Sequence, residues 1–460
     1  MFLSRSDSPA RRPGAQSRPG RKGGAAPRGP RIRGAWPGTR RDGYGRCEVD
    51  GDRGPGQDRG PGQDRGLGLD EVLRAAERAA PVESVDVVAR NLERRFAARE
   101  VSFLLVDMLG REAVRLPRSD GEGRARGAVD RRPLAGSVYE KVLRSQRPHV
   151  EDDGAGGARM VAPVTNRGDL IGVLEAVVPE VDDTIRDAVA QAAHALAYIV
   201  VTDRRFTDLY HWGWRTSPVT LAAEIQHQLL PSASCCEAPR FTLAGGLVPA
   251  DDIGGDTYDY ALDQDTLHLS ITDAMGHDTA SALLATLTVN ALRGARRAGR
   301  GLLEQAAAAH EAITRHARGM TTGQLLRVDL ADGACEMVNA GHPWPLRLRG
   351  GRVEKLSVHV DLPFGVPAPV SYQVQRLQLE PGDRLVLLTD GMIERGAGAV
   401  DLPAVVRDTG AEHPREAVQA MTLAVYDACG GELRDDATAL VLDWHDGTGR
   451  GRHPDGTPRA

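Results

Sequence analysis

The sequence predicts an α+β chain: two folded units behind a tail that does not fold. Three observations carry this. Residues 1–66 are rich in Arg, Gly and Pro, and they repeat Gly-Pro-Gly-Gln-Asp-Arg at 54–59 and 60–65. Residues 69–202 switch between helical and strand-like apolar periodicity. Beyond residue 232, strand-like runs stand next to short acidic motifs. A chain of 460 residues has room for two or three domains.

The elements follow in order. Residues 1–66 cannot bury enough apolar surface to offset chain entropy, so they are expected to be disordered. Their arginines also fit a nucleic-acid contact, but a solvated tail is the simpler reading. From Leu69 to Phe96 the apolar spacing is helical in two pieces: Val72, Leu73, Ala76 and Ala79, then Val85, Val88, Leu92 and Phe96. Pro81 separates them. Residues 101–106 read as a strand, and Asp107 to Gly110 as a turn. Residues 160–164 and 170–177 read as a hairpin around Asn166-Arg167-Gly168-Asp169. Asp183 to Val201 is a helix that buries Ile185, Val189, Ala192, Ala193, Leu196, Ile199 and Val200. A linker at 203–231 opens a second helix at Ser217-Pro218, with Val219, Ala222, Ile225 and Leu229 on one face, and Pro231 ends it. Strands are then expected at 241–248, 267–271, 384–388 and 439–442, and a helix at 278–293.

Composition narrows the setting. The formal net charge is -5, which gives no global reason to bind nucleic acid. Aromatic residues make up 4%, so the cores must rest on aliphatic side chains. The five cysteines, Cys47, Cys235, Cys236, Cys335 and Cys429, form no CxxC pair. That sparse, odd set argues for a reducing, cytoplasmic setting. Neighbouring Cys235 and Cys236 read as a plain loop pair rather than a redox couple. No run approaches 18 uninterrupted apolar residues, so no membrane span is expected. The basic N-terminus has no following apolar core and is not a secretory signal.

Four acidic motifs stand in a fixed order in the second half: Gly254-Gly255-Asp256, Asp273-Ala274-Met275-Gly276-His277, Thr389-Asp390-Gly391 and Asp435-Asp436-Ala437-Thr438. Three follow strand-like runs, and the fourth precedes one. Carboxylates at strand ends can converge where sheets meet. Several together repel one another and need cations. Hard oxygen donors with few histidines and no paired cysteines favour Mg2+ or Mn2+ over zinc. Two such ions would lower the pKa of water and neutralise phosphoryl oxygens, which suits phosphate-ester hydrolysis. No Cys-x5-Arg loop of a tyrosine phosphatase is present. Each aspartate alone reads better as a cap or turn residue; the ordered set reads as metal ligands.

These motifs resemble a known family. Val248 to Asp259 around the first motif, Leu229-Leu230-Pro231 upstream and Asn339-Ala340-Gly341-His342-Pro343 downstream complete the pattern. Together they look like the bacterial metal-dependent serine/threonine phosphatases, the protein phosphatase 2C-like enzymes of the sporulation and stress-sigma regulator type. The resemblance covers roughly residues 217–444. It implies an α/β/β/α sandwich and two ions, Mn2+ or Mg2+. It implies Asp256, Asp273, Asp390 and Asp435 as catalytic metal ligands, with the Ala274 carbonyl as a further ligand and Asp436 as a neighbour. His277 is a candidate acid for the leaving oxygen, though it reads better as orienting the loop before the helix; His342 reads as shaping a turn. The family's phosphate-holding arginine has no clear match, Arg240 being the only one near. The strand before Asn339 survives as 324–330, with an altered entry.

The first unit, with its opening helix, strands, the Gly172-Val173-Leu174-Glu175 strand and a closing helix, looks like a GAF sensory domain. His149 and His194 read as ordinary polar residues there. The expected domains are therefore a disordered tail at 1–66, a GAF-like sensor at 67–202, a helical linker at 203–231, a phosphatase domain at 232–445 and a disordered tail at 446–460. The resemblance implies dephosphorylation of an anti-anti-sigma factor-type protein under control of a small-molecule or protein input to the sensor. A homodimer is compatible with it. Two rival readings are a catalytically weak regulator that binds a partner through this fold, and a hydrolase of small phosphate esters.

Overall fold

A computed structural model describes residues 66–107, 110–116, 130–214, 220–250, 255–276, 279–393 and 395–447. Residues 1–65 and 448–460 of the expected tails (1–66 and 446–460), Met108 and Leu109 of the expected turn, Ser217 to Val219 at the expected helix start, Gly254 of the first motif, and His277 all lie outside the described residues.

The first part opens with α1 (Leu69–Arg78) and α2 (Ser84–Phe96), broken at Pro81 as expected. Then follow β1 (Arg99–Val106), β2 (Glu112–Arg115), β3 (Arg131–Pro133), α3 (Val138–Ser145), β4 (His149–Asp152), β5 (Ala158–Asn166), β6 (Asp169–Val178) and α4 (Asp183–Asp203). The strands form one antiparallel sheet in the order β3-β2-β1-β6-β5-β4. Alternation assigns its faces. Phe103, Leu105 and Leu174 pack with α1, α2 and α4 around Val88, Leu92 and Leu196. Leu104, Val106 and Val173 pack against α3 through Tyr139, Val142 and Leu143. The β5–β6 turn has Arg167 at φ 48° and Gly168 at φ 80°. Two left-handed residues make the tight two-residue turn that matches strand twist.

Two helices connect the parts, α5 (Leu209–Trp214) and α6 (Leu221–Leu229). The Thr220 side chain caps α6 by accepting from Ala223 N. The buried face of α6 is Ala222, Gln226 and Leu229, with Ile225 only half-buried. This shifts the face from the expected one and places an amide inside.

The second part contains β7 (Cys235–Ala238), β8 (Phe241–Val248), β9 (Asp256–Leu262), β10 (Thr266–Ala274), α7 (Thr279–Arg297), α8 (Leu302–His316), β11 (Thr321–Asp329), β12 (Ala334–Ala340), β13 (Leu346–Arg349), β14 (Arg352–Lys355), β15 (Gln375–Gln378), β16 (Arg384–Leu388), α9 (Leu402–Asp408), α10 (Pro414–Ala428) and β17 (Ala437–Trp444). Two antiparallel sheets form, ordered β15-β12-β11-β10-β9 and β14-β13-β16-β17-β8-β7. Strand β11 starts at Thr321, paired with Ala274, three residues before the expected start at Gln324. The sheets face each other across Leu267, Leu269, Ile271, Leu385, Leu387, Leu440 and Leu442. The alternate residues Val386, Leu388, Ala439 and Val441 face α9 and α10. Helices α7 and α8 cover the other sheet through Leu284, Val289, Leu292 and Ile313. The result is a four-layered α/β/β/α sandwich, helices outside two sheets. Each fully buried Leu or Ile in the middle layer contributes about 1.5–3 kcal/mol. The first and second parts pack into a single compact unit, and no helix among the described residues is long and apolar enough to cross a membrane.

Candidate metal centre

The centre forms where the apolar rows between the sheets turn polar. Side chains two apart on a strand share a face. On β10 the inward row Leu267, Leu269 and Ile271 continues to Asp273. On β9, Tyr258 continues back to Asp256. On β16 the row Leu385 and Leu387 continues past the strand to Thr389. On β17, Leu442 and Leu440 continue back to Thr438 and then Asp436. All four rows change character at the same end of the sandwich. Asp256 and Asp273 stand opposite each other in the β9–β10 register. Thr389 and Thr438 each donate a hydroxyl to Asp256 Oδ2, at 2.7 and 2.6 Å.

Asp256 is 2% exposed, and among the described residues no arginine or lysine pairs with it. Burial, then the nearby charges of Asp273 and Asp436, raise its pKa well above the usual carboxylate range. Carboxylates are therefore crowded here, and each disfavours the charged form of its neighbour. Asp273 and Asp390 are half-buried and Asp435 is exposed, so three expected ligands can reach solvent.

Two glycines bring the motifs together. A Cβ on Gly255 would fall 2.5 Å from the Ala274 carbonyl oxygen. A Cβ on Gly391 would fall 2.0 Å from the Asp436 carbonyl oxygen. Only glycine allows these approaches. Asp390 and Asp435 thereby sit on touching backbone.

Asp436 does other work. Its Oδ1 accepts from Ala250 N at 3.0 Å. Its Oδ2 accepts from Gln226 Nε2 at 2.6 Å, Gly255 N at 3.1 Å and Asp256 N at 3.3 Å. This buried carboxylate closes the loop between β8 and β9 and ties it to α6. Burial pushes its pKa up against those four donors. Gln226 also donates to the Asp256 carbonyl oxygen at 2.8 Å. Sequence reasoning missed Gln226, Thr389 and Thr438. The hydroxyls were findable, because they continue the inward rows of β16 and β17 by parity.

His342 is buried, not at the rim. Asn339 Oδ1 accepts from His342 N at 2.8 Å, and Asn339 Nδ2 donates to His342 O at 3.0 Å, which closes the expected turn. The ring Nδ1 pairs with Thr322 Oγ1 at 2.8 Å. Burial holds its pKa down to about 3, against a smaller pull from the Leu388 backbone. Nε2 makes no well-formed hydrogen bond. Arg240 lies at the far end of β8, donating to Asp446 O at 3.0 Å, and takes no part in the centre.

The donor set fits divalent Mg2+ or Mn2+: several hard carboxylate oxygens gathered beside the Ala274 carbonyl. Among the described residues no three Asp, Glu, His or Cys side chains already form a closed ligand cage. The aspartates are gathered at one edge rather than locked around a point.

Residues 263–445 match the family of stage II sporulation protein E (SpoIIE). The match includes Asp273, Ala274, Asp390 and Asp435 and begins after Asp256. The stage II sporulation protein E of Bacillus subtilis (strain 168) is 26% identical over 127 residues, covering 26% of this chain and 15% of that protein. The phosphoserine phosphatase RsbP of the same organism is 28% identical over 156 residues, covering 32% of this chain and 38% of that protein. The chain thus spans well under half the length of these curated relatives. Among solved structures, the SiaA-PP2C domain of Pseudomonas aeruginosa aligns with a TM-score of 0.41 and 22% identity, covering 48% of this chain and 92% of that one.

Proposed function

We propose that this chain, whose residues 263–445 form a SpoIIE-type phosphatase domain, is a metal-dependent protein serine/threonine phosphatase. The observation that carries this is the convergence of Asp256, Asp273 and Asp436 at one end of the sandwich, where burial and the neighbouring carboxylates raise the Asp256 pKa. Asp256, Asp273, Asp390, Asp435 and the Ala274 carbonyl would hold two Mn2+ or Mg2+ ions. Bound there, the ions supply an acidified water and neutralise phosphoryl charge. The chain's own groups do the rest. Thr389 and Thr438 fix the Asp256 carboxylate through Oδ2. Asp436 and Gln226 fix the backbone that carries it. Asp273, Asp390 and Asp435 meet solvent, so a phosphoseryl or phosphothreonyl group on a protein surface has access.

The substrate in this reading is a phosphorylated anti-anti-sigma factor-type protein, and the setting is the cytoplasm. Residues 67–202 act as a GAF-like sensor; the sheet order β3-β2-β1-β6-β5-β4, with helices on both faces, supports that reading. Residues 203–231 link it to the catalytic part.

The test is incubation of the purified chain with Mn2+, a generic phosphate ester and phosphorylated anti-anti-sigma proteins. Mn2+-dependent release of phosphate from the phosphoprotein is expected. Full activity after exhaustive chelation would reject the metal reading. Ester hydrolysis with the phosphoproteins left untouched would select the small-ester alternative.

A further inference from the structure

We propose that the β5–β6 turn of the N-terminal part is a docking point that holds α6, and with it the carboxylate centre, in place. This contact acts beside the covalent linker. It rests on the metal-centre reading for its consequence, though not for its existence.

The turn is built to fit the second part. Asp169 Oδ1 accepts from both Ser234 N and Ser234 Oγ, each at 2.9 Å. Glu237 N donates to Arg167 O at 2.9 Å, a strand-like bond to β7. Arg415, at the start of α10, donates to Gly168 O at 3.1 Å and to Leu143 O at 3.3 Å. A Cβ on Gly168 would meet Cys235 Sγ and the Glu237 side chain at 2.9 Å. A hairpin turn in water needs none of this. Asp169 is 8% exposed, with Ser234 of the second part bonded to its carboxylate. A carboxylate buried this way costs stability unless its donors stay in place.

The contact lies close to α6 along the chain. Ser234 is five residues past Leu229, the last residue of α6. Arg204, just after α4, donates to Ser232 O at 2.6 Å. Two contacts from the N-terminal part therefore pin the exit of α6. The helix end is held by Arg293, which donates to Leu229 O at 2.6 Å and pairs with Asp259 of β9. One turn back, Gln226 reaches Asp436 and the Asp256 carbonyl. Short, bonded segments run all the way from Asp169 to Asp256. A shift at Ser234 has few free residues in which to dissipate before it reaches α6. Any effector of the N-terminal part that favours the undocked turn would thereby loosen the centre.

The test uses the full chain, with Asp169→Ala, Ser234→Ala and Asp169→Asn. Asparagine keeps an acceptor and nearly the same volume. Two readouts are taken: amide hydrogen exchange of residues 221–234, and Mn2+ affinity by calorimetry. Asp169→Ala and Ser234→Ala should speed exchange in 221–234 while β1 and β6 stay protected. They should weaken Mn2+ binding by roughly fivefold or more, and Asp169→Asn should largely restore both. Combined with Gln226→Ala, the effect of Asp169→Ala on Mn2+ affinity should be smaller than alone, because both act through α6. Unchanged exchange in 221–234 for both alanine variants would overturn the docking. Faster exchange with strictly additive effects on Mn2+ affinity would overturn its link to the centre. A wild-type chain that binds no Mn2+ would sink the proposed function instead, with the exchange readout still deciding the docking. Should Asp169→Ala fail to fold, Ser234→Ala carries the same comparison from the other side.

Discussion

Two buried carboxylates, one in each part, are treated in opposite ways. Glu175 on β6 is 4% exposed. Its Oε2 accepts from Arg115 Nη2 at 2.8 Å and Ser102 Oγ at 3.1 Å. Its Oε1 accepts from Tyr139 OH at 2.7 Å and from Arg159. Burial pushes its pKa up, but Tyr139 and Arg159 outweigh that and hold it below the usual value. Asp256 is as deeply buried, yet it receives two hydroxyls, and two other aspartates bear on it. The first carboxylate is neutralised from within the chain. The second has no arginine or lysine partner among the described residues, and its charged form is disfavoured. A chain that builds one balanced network can build another; leaving Asp256 open is what a cation site requires.

The comparison breaks most visibly at the proposed ligands. Asp273→Asn and Asp390→Asn should each cut Mn2+-dependent phosphate release on the order of a thousandfold, since an amide cannot supply the charge that holds the ion. The metal-free melting temperature of Asp273→Asn should not fall, because it removes repulsion on Asp256. A metal-free variant that melts well below wild type would show this aspartate to be structural. Glu175→Gln should behave inversely. It leaves Arg115 and Arg159 facing a neutral amide and should cost about 3 kcal/mol. That is the lower end for a broken buried pair, because the two guanidiniums keep 27% and 24% of their side-chain surface in water. Phosphate release per folded molecule should stay near wild type. Next in size is the cation itself. Mn2+ at a hundred times its dissociation constant should stabilise the chain by about 2.7 kcal/mol, read as a melting shift that a chelator reverses and Asp390→Asn abolishes.

The neighbouring pair Asp435-Asp436 sharpens the same contrast within one motif. From sequence, Asp436→Asn is expected to be the milder change, because the ligand role falls to Asp435. The four donors on Asp436 alter that expectation. An amide there turns one acceptor into a donor facing N–H groups and should cost about 2–3 kcal/mol of stability. Asp435→Asn, on an exposed residue, should leave melting unchanged and weaken Mn2+ binding only. Calorimetry and melting curves on both variants separate the roles; equal melting temperatures would place both side chains in the same job.

Much of this was legible in the residues, and what was not has a physical reason. Strands such as 384–388 read cleanly because apolar runs of that length at a sheet centre have no helical alternative. The break at Pro81 follows from its missing N–H. The aspartates were readable because each stands where an apolar run ends. Gln226 was not, because a neutral amide on an amphipathic helix counts as solvent-facing until its partner 210 residues away is known. The four donors on Asp436 are likewise long-range, three of them 180 or more residues away in the chain and the fourth the Gln226 amide. The docked turn at Asn166–Asp169 reads from sequence only as a turn. Its left-handed residues explain the hairpin, while Ser234 and Arg415 explain why it is buried.

The smallest expected effect separates the parts by pH. Burial lowers the pKa of His342 to about 3, and burial also leads the lowering at His268 and His413. All three lie in the second part. A histidine whose folded pKa is depressed takes up its proton in the unfolded chain first. The unfolded state then binds more protons below about pH 6.5, so stability is full above that pH and lost as pH falls through it. For His342 alone the loss between pH 7 and pH 5 is about 2 kcal/mol. Glu175 has the same sign in a different window. Its folded pKa is lowered, so its contribution is kept above the ordinary glutamate value and lost only as pH falls below about 4.5. Asp256 and Asp436, with raised pKa values, act in the opposite sense in the same part, so the histidine share is read against His342→Asn: moving from pH 7 to pH 5 should speed hydrogen exchange in β11 and β12 more in the wild type than in that variant, after correction for the intrinsic pH dependence, and leave β1 and β6 unchanged. His342→Asn, which keeps a small polar group in the turn without a titrating ring, should remove most of the difference in β11 and β12. Equal weakening of both parts at pH 5 would mean that the histidines of the second part do not set its acid sensitivity.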